Sequence, residues 1–313
     1  MRTEYFKEYS RYLDRPMEWK VYGHGGLPCF VFPCQGGRFY DWEDRGMCAL
    51  AGRWIDSGRL TLICADSLDN ESWSAQGEER GRIETQERWF NYICQELLPR
   101  ALSLPGYGFA GKPLTAGASM GAGHGVNLWL RRPDLFGGAI GLSGVYEAGP
   151  FFGDYLDDLV WRNDPCRYMA ALAPGDPRLP LYAGGRLILC AGQGPWEEVP
   201  LASTRRLSAL LEKAGLPVFT ELNLVEDGYE ENMALAREKG LPLFLSSTML
   251  YRGETRYIKE QVEAFRARGA EVADGAFGEN LVVEGIDFRT LPIGTKFKCN
   301  DVELELTQVQ PLN

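Results

Sequence analysis

Apolar and polar positions along the 313-residue chain switch repeatedly between two periods. The apolar runs "EWKVYG", "CFVFPC", "LTLICAD", "PLTAGA", "GAIGLSG", "RLILCAG" and "LPVFTEL" have strand length and are bounded by turn-forming residues. Between them, "EDRGMCALAGRWIDSG", "ETQERWFNYICQELLPRAL" and "PLASTRRLSALLEKAG" repeat apolar residues at three- and four-residue steps, which predicts helices. The first two strands are joined by His-Gly-Gly-Leu-Pro, predicting a hairpin turn around "GHGG" at 23–26. A long irregular insert rich in Phe, Tyr, Trp and Asp runs from Val145 to Gly185. Alternation of this kind predicts an α/β fold, a mostly parallel sheet with helices on both faces. In such sheets the chemistry gathers on loops at the carboxyl ends of the strands.

After Leu222 the pattern changes. "EENMALAREKG" and "RYIKEQVEAFRARG" have helical spacing, "LPLFLSS" is strand-like, and "NLVVEG", "TKFKC" and "VELELTQVQ" predict short antiparallel strands. A boundary near Lys239 divides the chain into an α/β domain over 1–239 and a small mixed α/β segment over 240–313.

A net charge of −10 without a basic cluster argues against nucleic acid or an anionic membrane as partner. No apolar run reaches the length of a membrane span, and "MRTEYFKEYS" is too polar for a secretory signal. Cys29, Cys64 and Cys190 lie inside strand-like runs, and no pair of the eight cysteines has a Cys-x-x-Cys spacing. Reduced, structural cysteines in a cytoplasmic protein are expected, with no metal or cofactor implied.

The chemistry centres on "LTAGASMGAGHG", where Gly117, Ser119 and Gly121 form Gly-x-Ser-x-Gly between a strand and a helix. That spacing exposes a serine nucleophile on a strained turn, and the small residues let backbone and sheet approach closely. The helix that follows adds free N–H groups and a positive dipole end. For acyl transfer, the N–H of Met120 supplies one oxyanion donor, and the loop "FPCQGGRFYDW" supplies a second at Gln35 or Gly36.

Residues from about Lys20 to Leu222 resemble the esterase D-like esterases of the α/β-hydrolase fold. The stretches that carry the likeness are "YGHGGLPCFVFPCQGGRFYDWEDRGM", "ICADSLDNESW", "GASMGAGHGVNLWLRRPDLFGGAIGLSGVYEAGPFFGDYLDDLVWRNDP" and "LCAGQGPWEE". The resemblance implies Ser119 as nucleophile, with Met120 and Gln35 as backbone oxyanion donors. It places the triad acid after "RLILCAG", at Glu197 or Glu198, unless the two carboxylates simply cap the next helix. It also places the histidine in the loop after "PVFTEL", which here reads "NLVEDG". The chain has only two histidines, His24 and His124, so the base is missing. His124 lies five residues past Ser119, about 7.5 Å along the helix, and is expected to be structural. Glu226, Asp227 and Glu230 stand where the base belongs, in surroundings too polar to raise a carboxylate pKa.

"EAFRARGAEVADGAFGENLVVEGIDFRTLPIGTKFKCNDVELELTQVQ", about Tyr257 to Gln310, resembles the second half of a MOSC domain. The resemblance implies molybdenum-cofactor sulfur chemistry on a cysteine just after "ELTQVQ", where "PLN" stands instead; Cys299 is not at that position. Both resemblances break off at their catalytic residue, which points to a composite chain. The expectation is an esterase-like scaffold for small carboxylic esters or thioesters, weak or inactive, with the aromatic insert as lid or acyl pocket unless its rings are core. The alternatives are a non-catalytic binder of small molecules and a sulfur carrier.

Overall fold

In a computed structural model the chain forms two compact units, Met1–Gly253 and Glu254–Asn313. The described residues are 1–173, 175–192, 197–216 and 218–224, with two further strands at 296–299 and 302–305. The helices and strands predicted between Leu222 and Lys296, including "NLVVEG", lie outside them.

The first unit is built on one sheet. Its strands are β1 (Thr3–Ser10), β2 (Arg15–Tyr22), β3 (Gly25–Phe32), β4 (Leu60–Ala65), β5 (Gly108–Phe109), β6 (Leu114–Ala118), β7 (Gly138–Leu142), β8 (Arg186–Gly192) and β9 (Val218–Leu224). They run in the order β1-β2-β4-β3-β6-β7-β8-β9, with the short β5 beside β3. From β4 to β9 every pairing is parallel, whereas β1 and β2 extend one edge antiparallel. This is the predicted fold class.

Because helices cover both faces, the central strands are apolar almost without a break, and alternate residues feed two cores. Phe30, Phe32, Ile63 and Ala65 face one core with Trp89, Ile93, Leu128 and Trp129. Cys29, Val31, Leu62 and Cys64 face the other with Trp42, Met47 and Ile55. Cys29, Cys34, Cys48, Cys64, Cys94, Cys166 and Cys190 are buried and in no disulfide among the described residues, and burial pushes the Cys29 thiol up to about 12.

The "GHGG" stretch is not a hairpin turn, because β4 lies between β2 and β3. Gly25 and Gly26 already belong to β3, where Thr61 Oγ1 bonds both backbone groups of Gly25. A side chain on Gly26 would run into the backbone of Gly58 and Arg59. Strand β1 has no apolar run to announce it; its mostly polar residues alternate exposed and half-buried up to the buried Ser10, which bonds Glu96, and Phe6 stacks on Trp19 against the core. The single predicted helix after β3 is three short ones, Asp41–Asp44, Met47–Leu50 and Gly52–Asp56. The long helix that follows is present, but its ladder widens to a π-turn at Ile93–Leu97 between Glu79–Tyr92 and Leu98–Leu102. The insert after β7 carries four short helices, Gly149–Phe152, Asp158–Arg162, Pro165–Ala170 and Leu179–Tyr182.

In the second unit, β10 (Lys296–Cys299) pairs antiparallel with β11 (Val302–Glu305), as the tail pattern predicts for these two segments.

Candidate active site

Strand β6 ends at Ala118 and the helix Met120–Arg131 begins two residues later. Ser119 makes that junction at φ +54°, ψ −121°, a conformation that costs a non-glycine residue about 1–3 kcal/mol. The two flanking glycines make the turn sterically possible. A Cβ on Gly117 would sit 2.7 Å from Ala122 N, and one on Gly121 2.8 Å from the Phe32 carbonyl carbon. Both would lie closer still to neighbouring carbonyl oxygens, those of Gly121 and of Phe32 and Pro33. Backbone therefore packs on backbone, and the helix start is set against the end of β3. The Ser119 N–H donates to Leu142 O at 2.8 Å, while Ser119 O accepts from Ala122 and Gly123 N–H. The Ser119 hydroxyl is half-buried and has no hydrogen-bond partner among the described residues.

The loop leaving β3 is pinned from both sides. Asp41 accepts from Cys34 N at 3.1 Å and pairs with Arg45. Asp66 accepts from Phe39 N at 2.8 Å and from Arg38, which also reaches Glu18. Burial raises the Asp66 carboxyl above its ordinary range, and the Arg38 and Phe39 hydrogen bonds offset this only in part. Within that frame Cys34 O accepts from Gly37 N, so the turn exposes Gln35 and Gly36, the latter at φ +68°. Neither Gln35 N–H nor Met120 N–H is used in a hydrogen bond among the described residues.

The two candidate acids separate. Glu197 is 5% exposed and its Oε1 accepts from the Ser143 hydroxyl at 3.0 Å, whereas Glu198 is exposed in the first turn of the helix Glu198–Lys213. Glu197 occupies that helix's N-cap position without a side-chain capping bond, so the carboxylate faces Ser143 instead.

His124 is buried with both ring nitrogens engaged. Nε2 lies 2.7 Å from Asp69 Oδ1 and Nδ1 3.3 Å from Gln86 Nε2, beside the rings of Trp73 and Trp89. Gln86 Oε1 in turn accepts from Ser72, and Asp69 Oδ2 from Ser67. This closed network fastens the loop after β4 to the helix that follows Ser119. His24 is exposed at the amino end of β3, the full strand length (about 25 Å) from its carboxyl end. Glu226, Asp227 and Glu230 lie outside the described residues.

Met120 packs with Trp73, Ile83, Phe152, Leu159 and Val160, and Trp73 meets Phe151 and Phe152 edge to face. Tyr146, Phe152, Tyr168 and Tyr182 of the insert are buried. The insert lines a cavity of about 460 Å³ with Glu147, Asp154, Asp164 and Arg167, closed by Arg206 of the helix Glu198–Lys213; Ser119 is not on its wall. Among the described residues no cluster of three or more His, Cys, Asp or Glu could hold a metal, and no helix is long and apolar enough to cross a membrane.

Sequence reasoning passed over Asp69, Gln86 and Ser143. A signal existed for Ser143: "GLSG" repeats, at the end of β7, the Gly-x-Ser signature of β6.

The MOSC domain family model matches residues 253–311. No curated protein matches the chain in sequence. Among solved structures, a ferulic acid esterase superposes at a TM-score of 0.56 and 15% identity, covering 75% of this chain and 95% of its own. An S-formylglutathione hydrolase from Agrobacterium tumefaciens gives 0.54 at 12% identity over 76% and 93%. A fluorophosphonate-binding serine hydrolase from Staphylococcus aureus gives 0.52 at 15% identity over 76% and 96%. At these identities the likeness establishes the fold: the first unit is built on the scaffold of α/β-hydrolase-type esterases.

Proposed function

We propose that the α/β domain, residues 1 to about 239, performs acyl chemistry on small carboxylic esters or thioesters with Ser119 as nucleophile. The observation that carries this is the left-handed Ser119 between β6 and its helix, with Met120 N–H unengaged beside it. In this reading Ser119 Oγ attacks the acyl carbon. The oxyanion is received by the N–H groups of Met120 and Gln35, donors whose removal typically costs two to three orders of magnitude in rate. Glu197, buried, is the carboxylate of the site, and the exposed Glu198 has no part in it. No histidine follows residue 124, so turnover is slower than a complete serine–histidine–acid triad gives. The buried cysteines, none of them in a disulfide among the described residues, fit a reducing, cytoplasmic setting.

A second reading, a binder of small acyl compounds without turnover, is favoured by the histidine count alone. Hydrolysis of short-chain chromogenic esters, run beside Ser119→Ala and fluorophosphonate labelling, separates the two. Serine-dependent labelling and turnover support the enzyme; no label on Ser119 and equal background rates leave the binder.

A further inference from the structure

Three described non-glycine residues have positive φ: Asp14 in the β1–β2 turn, Ser119 and Ser143. The last two are neighbours. Strands β6 and β7 pair with Ala118 opposite Leu142, so Ser119 and Ser143 leave adjacent parallel strands side by side, at φ +54° and +47°. Ser119 N–H donates to Leu142 O, and Ser143 N–H donates to Cys190 O at 2.6 Å. The Ser143 hydroxyl donates to Glu197 Oε1 at 3.0 Å, and both residues are buried. Strain of this kind persists only where the surroundings over-determine it, and it concentrates at functional sites. Glycine would hold the Ser143 conformation without that cost, so the hydroxyl is what the position retains.

We infer that Ser143 and Glu197 together are the proton acceptor for Ser119, in the place a triad gives to histidine. The inference rests on the reading of Ser119 as nucleophile. As the Ser119 Oγ–acyl carbon bond forms, the Ser119 proton passes to Ser143 Oγ while the Ser143 proton passes to Glu197 Oε1. The carbonyl π pair moves to the oxyanion. When the tetrahedral adduct collapses, the carbon–leaving-group bond breaks and the proton returns by the same route to the leaving alcohol or thiol. The hydroxyl of Ser119 turns toward Ser143 on substrate binding; catalytic hydrogen bonds commonly close only in the complex.

The test measures the second-order rate of fluorophosphonate labelling of the full chain, for wild type, Ser143→Gly, Ser143→Ala and Glu197→Gln, with thermal melting of each. Ser143→Gly removes the hydroxyl and relieves the backbone, so it keeps the fold even where Glu197→Gln does not. The expected result is a fall of at least 10-fold in labelling for Ser143→Gly at an unchanged or higher melting temperature. Added imidazole should restore the variant several-fold more than it accelerates wild type, which damage to packing would not allow. Labelling of Ser143→Gly and Ser143→Ala within 2-fold of wild type overturns the relay and leaves Ser119 as nucleophile. No labelling of wild type overturns the nucleophile reading itself, and the relay with it.

Discussion

Gly121 and Gly125 lie one turn apart on the same helix, and the structure gives alanine opposite effects at the two sites. In a helix interior alanine is worth roughly 1 kcal/mol over glycine. At Gly125 a Cβ would meet Thr115 Cβ and Oγ1 at 3.5 Å, an ordinary contact, so Gly125→Ala should keep that gain. At Gly121 the same atom would lie 2.8 Å from the Phe32 carbonyl carbon and nearer the Phe32 and Pro33 oxygens. These are backbone atoms of a buried strand end and cannot swing aside. The helix start must lift off the sheet by roughly half an ångström or more. Overpacking of this kind costs about 1–3 kcal/mol and at times more; against unyielding backbone the upper end applies, which outweighs the propensity gain of roughly 1 kcal/mol and leaves a net loss near 2 kcal/mol. For a domain of this size the loss corresponds to a melting temperature lower by about 4–8 °C, against a rise of about 2–4 °C for Gly125→Ala. Differential scanning calorimetry of both variants beside wild type reads the two signs directly. Gly121→Ala melting at or above wild type would refute the claim that this glycine is required by backbone contact.

Three further outcomes follow from the same geometry. Ser119→Gly should raise stability by about 1–3 kcal/mol, by releasing the left-handed strain, while abolishing fluorophosphonate labelling; calorimetry and mass spectrometry check both halves. His124→Ala strips the buried Asp69 carboxylate of its 2.7 Å partner and opens a void between Trp73 and Trp89, so a loss of about 3 kcal/mol or more in urea unfolding is expected, and an unchanged midpoint would count against the network. Burial acts to raise the Glu87 carboxyl, but hydrogen bonds from Arg131 and Asn163 prevail and hold it below the ordinary range. The unfolded chain therefore binds that proton first as pH falls. The stabilisation is full above about pH 5 and is lost as pH drops through the lower, folded value. Glu87→Gln should flatten the acid limb of the stability profile.

Much of the sheet was legible because parallel strands buried on both faces must be nearly continuous apolar runs; β3, β4, β6, β7 and β8 all announce themselves this way. Strand β1 did not, since Glu4, Lys7 and Glu8 give an edge strand the composition of a loop. The pairing of β2 was misread because chain proximity of two strands says nothing about a third that inserts between them later. At the candidate site, Ser119 and Met120 were legible from glycine spacing, which is a local steric requirement. Which of Glu197 and Glu198 is buried was beyond the sequence, because adjacent residues at a helix start point in directions only the packed structure fixes. Ser143 and Asp69 were hidden for a related reason: a buried polar residue is identified by its partner, and Glu197 and His124 are distant in sequence.

The insertion of β4 between β2 and β3 also bears on the order of folding. The β1–β2 hairpin closes through a turn of four residues and can form as soon as it is made. It has nothing to dock on until Ala65 comes opposite Trp19, and apart from the two-residue β5, β3 gains its second neighbour only when Gly117 comes opposite Phe32. Loop closure over such separations delays non-local pairing, so the first third of the chain must persist with open strand edges until β6 arrives. A chaperone that shields strand edges would act in that interval, and fragments ending before β6 should aggregate where the longer chain does not.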